Sequence, residues 1–274
     1  MKSVALLLFF IFTAQGVFAE DKKDSLPWKP EVFADKIDKL PANYEGVDKK
    51  QLYRMFKEKV ASVIKGEFET TSEFVKRTAS KDALLAPINT SDLYAFKKNM
   101  IFSYNADAQA YTIGGKYDWS CRSAAAYGND KDWFTCNKSA ISQTEDTYVG
   151  SNAYGATFTV KRIRGNNVAL AILKGTLPSD LYSKDQRSNE YYNYQDLLPV
   201  PLEKARTLKD NKLSVLFIGQ VTDARLVKGS DEIASPTIDY PTDRYTTVEA
   251  IPFKLRKIIY YVYETGEILH QRAF

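Results

Sequence analysis

From Leu93 onward the period of the apolar side chains changes to two in a series of segments. The segment Thr157–Arg164 shows this most clearly, with Phe158 and Val160 on one face and polar residues on the other. A period of two is typical of half-buried β-strands. The tripeptide Gly165-Asn166-Asn167 then predicts a tight turn between two strands. The alternation therefore restricts most of the chain to a sheet with hairpin connections.

Two further segments specify strands. The stretch Leu213–Val221 is apolar on both faces, which predicts a central strand covered on each side. The terminal sequence YETGEIL, residues 263–269, predicts a last hairpin with Gly266 in its turn.

Helices are predicted ahead of the strands. Asp48 is a predicted N-cap, followed by apolar residues at helical spacing. Thr70 and Glu73 form a predicted capping box, which starts a second helix running from Thr71 to about Leu85. The short connection between the helices implies a helical hairpin. The predicted fold class is therefore α+β, with an N-terminal helical hairpin packed on a mainly antiparallel β-sheet, in one domain over residues 47–274.

The N-terminus has the features of a secretory signal peptide. Lys2 precedes the apolar run Val4–Phe12, and Val17 and Ala19 are the small residues expected before a cleavage site. The apolar run is too short to anchor the chain in a bilayer. We therefore predict cleavage of residues 1–19, an extended polar leader over residues 20–46, and a periplasmic or secreted protein without a membrane span after signal cleavage.

Cys121 and Cys136 are the only two cysteines. Disulfides persist in the periplasm and outside the cell, so an exported chain is expected to pair them as a structural bond. The alternatives are a labile regulatory bond and two free thiols. No metal site is predicted, because zinc would need further soft ligands and the chain has one histidine, His270.

The overall charge argues against nucleic acid as a partner. The chain has 38 lysine and arginine residues against 34 acids, a net charge of +4 that is small for its length. His270 is interpreted as an exposed residue of the last strand rather than a catalytic base. No cofactor is predicted. Hydrolysis by paired carboxylates stays open, since it needs only two acids in a cleft.

Two segments are candidates for a binding surface. Residues 229–246 are predicted to form a long loop, and such loops are uncommon unless they are functional or disordered. Residues 178–198 are rich in tyrosine and could form an aromatic platform for a sugar or a peptide. The alternatives are a solvated loop, and tyrosines placed on both faces of a strand. The candidate binding residues are Tyr191, Tyr192, Tyr194, Asp231, Glu232, Asp239 and Asp243.

Three short segments carry a resemblance. They are GEFETTSEFVKR at residues 66–77, PTID at residues 236–239 and the terminal YETGEIL. Together they resemble uncharacterised bacterial exported proteins that contain a similar EFET-x-x-E-F segment. The resemblance implies a bacterial envelope setting, and it brings no activity and no catalytic residue.

The function predicted from these patterns is that of a non-enzymatic binding or accessory protein of the bacterial envelope, with an envelope protein or glycan as its partner. Histidine-based, metal-binding and nucleotide-binding motifs are missing from the sequence. The alternatives are a carboxylate-dependent hydrolase acting on envelope glycan, and a structural envelope component. Two acids that face each other in a cleft, one with a raised pKa, would favour the hydrolase.

Overall fold

The computed structural model describes residues 28–61, 63, 65–124, 130, 132–184, 191–208 and 211–274. Residues 81, 115–120, 191, 231 and 232 are described by their backbone alone. The predicted signal peptide, residues 1–19, and the first part of the predicted leader, residues 20–27, lie outside the described residues.

The described part contains four short α-helices and eleven β-strands. The helices are α1 (Lys49–Ala61), α2 (Thr71–Thr78), α3 (Lys81–Leu85) and α4 (Leu202–Thr207). The strands are β1 (Tyr94–Lys98), β2 (Phe102–Asn105), β3 (Ala110–Ser123), β4 (Trp133–Ser151), β5 (Thr157–Leu173), β6 (Tyr182–Lys184), β7 (Tyr191–Pro199), β8 (Leu213–Val221), β9 (Val227–Ala234), β10 (Thr242–Val262) and β11 (Ile268–Ala273).

The eleven strands of the described residues form one mixed sheet. Its order is β1-β8-β10-β5-β4-β3-β7-β6, while β9 and β11 also pair with β10, and β2 pairs with β3. The long strand β10 joins two halves of the sheet. Residues 242–252 pair in parallel with β5, and residues 253–262 pair antiparallel with β8. Side chains of both halves meet in one hydrophobic core, where the rings of Tyr194 and Phe217 have centroids 5.9 Å apart.

The predicted helix starts are confirmed. Asp48 Oδ1 accepts a hydrogen bond from the Lys50 amide at 2.8 Å, and Thr70 and Glu73 form the complete capping box. Helix α1 buries Leu52 and Phe56 in the core, as an amphipathic helix should.

The predicted helical hairpin on a mainly antiparallel sheet is wrong. The second predicted helix breaks at Thr78, and helix α2 buries none of its residues, so it has no face to pack against α1 or the sheet. Long strands dominate the fold instead, and the parallel pair β5–β10 makes the sheet mixed. The helices are few and short, and the chain is mostly β-sheet rather than α+β. The capping signals locate helix starts correctly, but they carry no information on whether a helix is buried.

The predicted turn at residues 165–167 is also wrong. Gly165 and Asn166 lie inside strand β5, which pairs with β4 on one side and with β10 on the other. These two ladders satisfy the backbone, so the strand continues through a sequence that favours a turn. The actual turn lies at residues 152–156, where Asn152 Oδ1 accepts from the amides of Tyr154 and Ala156 at 3.0 and 2.9 Å.

Three other predictions are confirmed. Strand β8 lies between β1 and β10 and is buried along most of its length. The chain ends in the β10–β11 hairpin, with Gly266 at φ 73° in the turn. Cys121 and Cys136 form a disulfide between directly paired positions of β3 and β4.

The described part of the predicted leader lies against the outer face of the β1–β8–β10 half. Phe33, Leu40 and Tyr44 are buried there, in a second cluster that includes Ile259 and Tyr261 of β10. The Tyr261 hydroxyl donates to the Tyr44 carbonyl oxygen at 2.5 Å. This segment therefore covers apolar sheet surface.

A buried polar chain links the two halves of the sheet. The Tyr260 hydroxyl donates to Asp196 and contacts the Tyr194 hydroxyl. Because the single proton of Tyr260 goes to the carboxylate, Tyr194 is the donor between the two tyrosines. Asp196 also accepts from Arg272 at 2.7 Å. Tyr194 and Tyr260 are almost fully buried, and burial raises the pKa of both phenols.

Replacing Tyr260 with phenylalanine is expected to lower the free energy of unfolding by about 2 kcal/mol. The change leaves the Tyr194 hydroxyl without an acceptor and removes a donor from Asp196, and unsatisfied buried polar groups cost about 1–3 kcal/mol each. Urea unfolding monitored by circular dichroism measures the difference. The same change at Tyr240, whose side chain is exposed, serves as the control. Equal stability of both variants would contradict the assignment.

Candidate functional site

A cavity of about 500 Å³ lies between helix α1 and strands β4, β5, β9 and β10. Its size falls in the range of small-molecule sites. Hydrogen-bonding groups from several elements converge on it. The polar side chains that line it include Tyr53, Lys57, Asn166, Lys228, Thr247 and Glu249.

Local structure explains how these side chains reach the cavity. Tyr53 and Lys57 are four positions apart on α1, so they lie on the same side of the helix. On β10, Thr247 and Glu249 are two positions apart and share a face, while Val248 between them is buried in a small apolar cluster. The cavity is thus bounded by one face of a helix and one face of a strand.

Glu249 is held as a carboxylate. Its Oε2 accepts from Lys57 Nζ at 2.7 Å and from the Tyr53 hydroxyl. Burial alone would raise the pKa of Glu249, but the hydrogen bonds from Lys57 and Tyr53 outweigh it and keep the pKa below its ordinary value. The hydrogen bond to Glu249 raises the pKa of Lys57 in turn. Both groups therefore stay ionised near neutral pH.

Two groups in the cavity keep unused hydrogen-bonding capacity within the described residues. Glu249 uses Oε2 for both of its donors, which leaves Oε1 as an acceptor. Asn166 accepts from Thr247 through Oδ1 and donates one Nδ2 hydrogen to Ser142 at 3.2 Å, which leaves its second hydrogen. A ligand with hydroxyl groups could donate to the first and accept from the second.

Of the predicted tyrosine platform, Tyr194 lies in the core and Tyr192 is partly buried. Tyr194 is fully buried and belongs to the Tyr260 chain, so it cannot face a ligand in solvent. Tyr192 is half-buried, and its ring packs on Phe134 with centroids 4.4 Å apart. The backbone of Tyr191 pairs with Arg122 on β3, and its side chain is outside the description. Tyr192 and Tyr194 are placed as expected for a strand between other strands.

The segment 229–246 is a hairpin rather than a long loop. Asp231 and Glu232 lie in β9, where only their backbone is described, and a short connection at 235–241 leads into β10. Asp239 is exposed in that connection. Asp243 accepts from Arg164 Nη2 at 2.8 Å, and this guanidinium lowers the pKa of Asp243. Strand pairing with β10 orders most of this segment despite its two prolines.

The sequence patterns did not predict Lys57 and Glu249 as residues of a binding site. They are 192 positions apart, and each has the pattern of an ordinary surface residue. The i, i+4 spacing of Tyr53 and Lys57 beside a buried helical stripe is the one local signal, and it is common in amphipathic helices.

Several general properties bear on the setting of this site. The Cys121–Cys136 disulfide is compatible with a secreted or periplasmic protein. Among the described residues, no helix is long and apolar enough to cross a membrane, and no group of three or more potential ligands could hold a metal ion. Comparison of the chain with protein-family models, curated proteins and solved structures gave no match. The resemblance to exported bacterial proteins thus stays a prediction.

Proposed function

We propose that the chain is an exported, non-enzymatic binding protein. Its ligand site is the cavity of about 500 Å³ between helix α1 and the strands around β10, called here the α1–β10 cavity. The ligand class is a hydroxyl-rich molecule, a segment of bacterial envelope glycan. Export follows from the predicted signal peptide at residues 1–19, and the disulfide is compatible with it.

The observation that carries this proposal is the state of Glu249. One carboxylate oxygen is fixed by Lys57 and Tyr53, and the other is left as an acceptor in a cavity of about 500 Å³. An acceptor that is charged and already oriented loses little freedom when it binds a hydroxyl donor. Sugars present such donors, and Asn166 and Lys228 supply donors to the sugar oxygens.

The same geometry favours binding over hydrolysis. Glycoside hydrolysis requires two carboxyl groups, one of which keeps a proton because its pKa is raised. Among the described side chains that line the cavity, Glu249 is the one carboxylate, and its pKa is lowered. A group in this state suits an ionic acceptor rather than a general acid.

Replacing Glu249 with glutamine is expected to weaken glycan binding at least tenfold. A hydrogen bond to a charged group contributes about 1.5–3 kcal/mol, and 1.4 kcal/mol corresponds to a factor of ten. Binding of the mature chain to N-acetylglucosamine oligosaccharides, and to a wider glycan array, measures the change. The Asp239→Asn variant removes an equivalent charge from the 235–241 connection and serves as the matched control.

Circular dichroism must show that both variants are folded. Loss of binding in the Asp239→Asn variant with retention in Glu249→Gln would move the site to the 235–241 connection. Release of reducing sugar by the wild-type chain, absent from the Glu249→Gln variant, would favour the hydrolase.

A further inference from the structure

A second cavity, of about 470 Å³, lies at the beginning of helix α1. It is distinct from the α1–β10 cavity, because the described residues that line the two cavities do not overlap. It is rich in charged side chains from α1, from β1 and from the segment that precedes α1. The polar residues that line it include Glu45, Asp48, Lys49, Lys50, Lys97 and Ser139.

Lys49 is the unusual member of this set. The residue is 8% exposed, although its side chain carries an amine. It reaches from α1 to β4, where Nζ donates to the carbonyl oxygen of Asn137, two positions before Ser139. Among the described residues, no carboxylate forms an ion pair with it. Buried charges in proteins are normally paired, because removing an unpaired charge from water is costly.

The carboxylates near Lys49 form hydrogen bonds with other groups. Glu45 binds Lys97 Nζ at 2.6 Å and also accepts from the Tyr263 hydroxyl. Asp48 Oδ1 accepts from the amides of Lys50 and Gln51 as the helix cap.

The lysines near Lys49 disfavour its protonated form. Burial lowers the pKa of Lys49 to about 7, and repulsion from Lys98 and Lys50 adds to this effect. The cavity thus has an excess of positive charge around an amine that lacks a counter-ion.

We propose that this cavity is a binding site for a small oxyanion, a phosphate or carboxylate group, which supplies the counter-charge that Lys49 lacks. The anion contacts Lys49 from the cavity side, while the Asn137 carbonyl holds the amine from the β4 side. Lys50 and Ser139 are further donors that line the same space. A bound anion would keep Lys49 protonated, so a carboxylate such as acetate, whose own charge is constant in this range, should bind more tightly at about pH 6 than at about pH 8.5.

The test is titration of the mature wild-type chain with inorganic phosphate at about pH 6, by isothermal calorimetry and thermal denaturation. Sodium chloride keeps the ionic strength constant, because surface charges respond to salt alone. We expect a saturable rise in melting temperature, and at least tenfold weaker phosphate binding in the Lys49→Met variant. The Lys76→Met variant removes a charge from the exposed helix α2 and should bind like the wild type.

A second variant covers the case in which Lys49→Met does not fold. Ser139→Leu keeps Lys49 and fills part of the cavity, so it should also lose phosphate binding. Acetate in place of phosphate distinguishes a carboxylate site from a phosphate site. A chloride effect as large as that of phosphate, or equal phosphate binding in wild type and Ser139→Leu, would overturn the proposal.

Discussion

Replacing Lys49 with methionine is expected to remove most of the rise in unfolding free energy that the wild type shows between about pH 7 and pH 9.5. The folded chain holds Lys49 with a pKa of about 7, below its ordinary value of 10.5. Between these values the unfolded chain binds a proton that the folded chain does not, so wild-type stability increases as the pH rises. The increase over this window is about 3 kcal/mol.

The pH range in which Lys49 makes the folded chain more stable with rising pH has an upper limit. Burial raises the pKa of tyrosines such as Tyr194 and Tyr261 above the ordinary value of 10, so the unfolded chain ionises first at high pH. This effect opposes the Lys49 effect above about pH 10. The comparison of variant with wild type removes the tyrosine contribution, because both proteins share it.

Urea unfolding at a series of pH values in chloride buffers measures the difference. The other charged groups at the Lys49 cavity are Lys50, Lys97 and Lys98, with Glu45 and Asp48, and all of them remain in the variant. The Lys76→Met variant should follow the wild-type curve. Parallel stability curves for Lys49→Met and wild type would show that Lys49 is not a buried amine with a lowered pKa.

Removing the disulfide is expected to destabilise the fold by about 3 kcal/mol. Cys121 and Cys136 are 15 positions apart, and a cross-link that closes a loop of this size restricts the unfolded chain by about that amount. The bond joins paired positions of β3 and β4, where Cys121 is also in register with Tyr192 of β7. Loss of the disulfide should therefore destabilise the part of the sheet in which β3 lies between β4 and β7.

Urea unfolding of the Cys121→Ala, Cys136→Ala double variant measures this cost. A reducing agent should destabilise the wild type and leave the double variant unchanged. Denatured, unreduced wild-type protein should contain no titratable thiol. Two free thiols per chain in protein prepared from an oxidising compartment would contradict the disulfide.

The sequence predicts local features of this fold better than their arrangement. The Asp48 cap, the Thr70–Glu73 box and the final hairpin around Gly266 depend on contacts within a few residues, and all three are present. The turn predicted at Gly165 is absent because that segment pairs on one side with β4, the preceding strand, and on the other side with β10, which comes from a distant part of the chain. Strand pairing with β4 and β10 overrides the local preference of Gly165-Asn166-Asn167 for a turn.

The candidate site was beyond sequence reasoning for a similar reason. Glu249 acquires its role from Lys57, which lies on a different element 192 positions away. Tyr194 looked like a binding residue because tyrosine suits exposed and buried strand positions equally well. Its burial depends on the way β7 faces β8 and β10 across the core, and no local pattern encodes that arrangement.

The most direct test of the binding site is a nuclear magnetic resonance titration of the isotopically labelled mature chain with N-acetylglucosamine oligosaccharides. The backbone amides of Asn166, Thr247 and Glu249 should shift progressively and saturate together, while those of residues 235–241 should stay unchanged. That result would place the glycan in the α1–β10 cavity. Shifts confined to residues 235–241 would contradict the proposed function. So would the absence of saturable shifts in titrations with the glycans that bind the chain on an array.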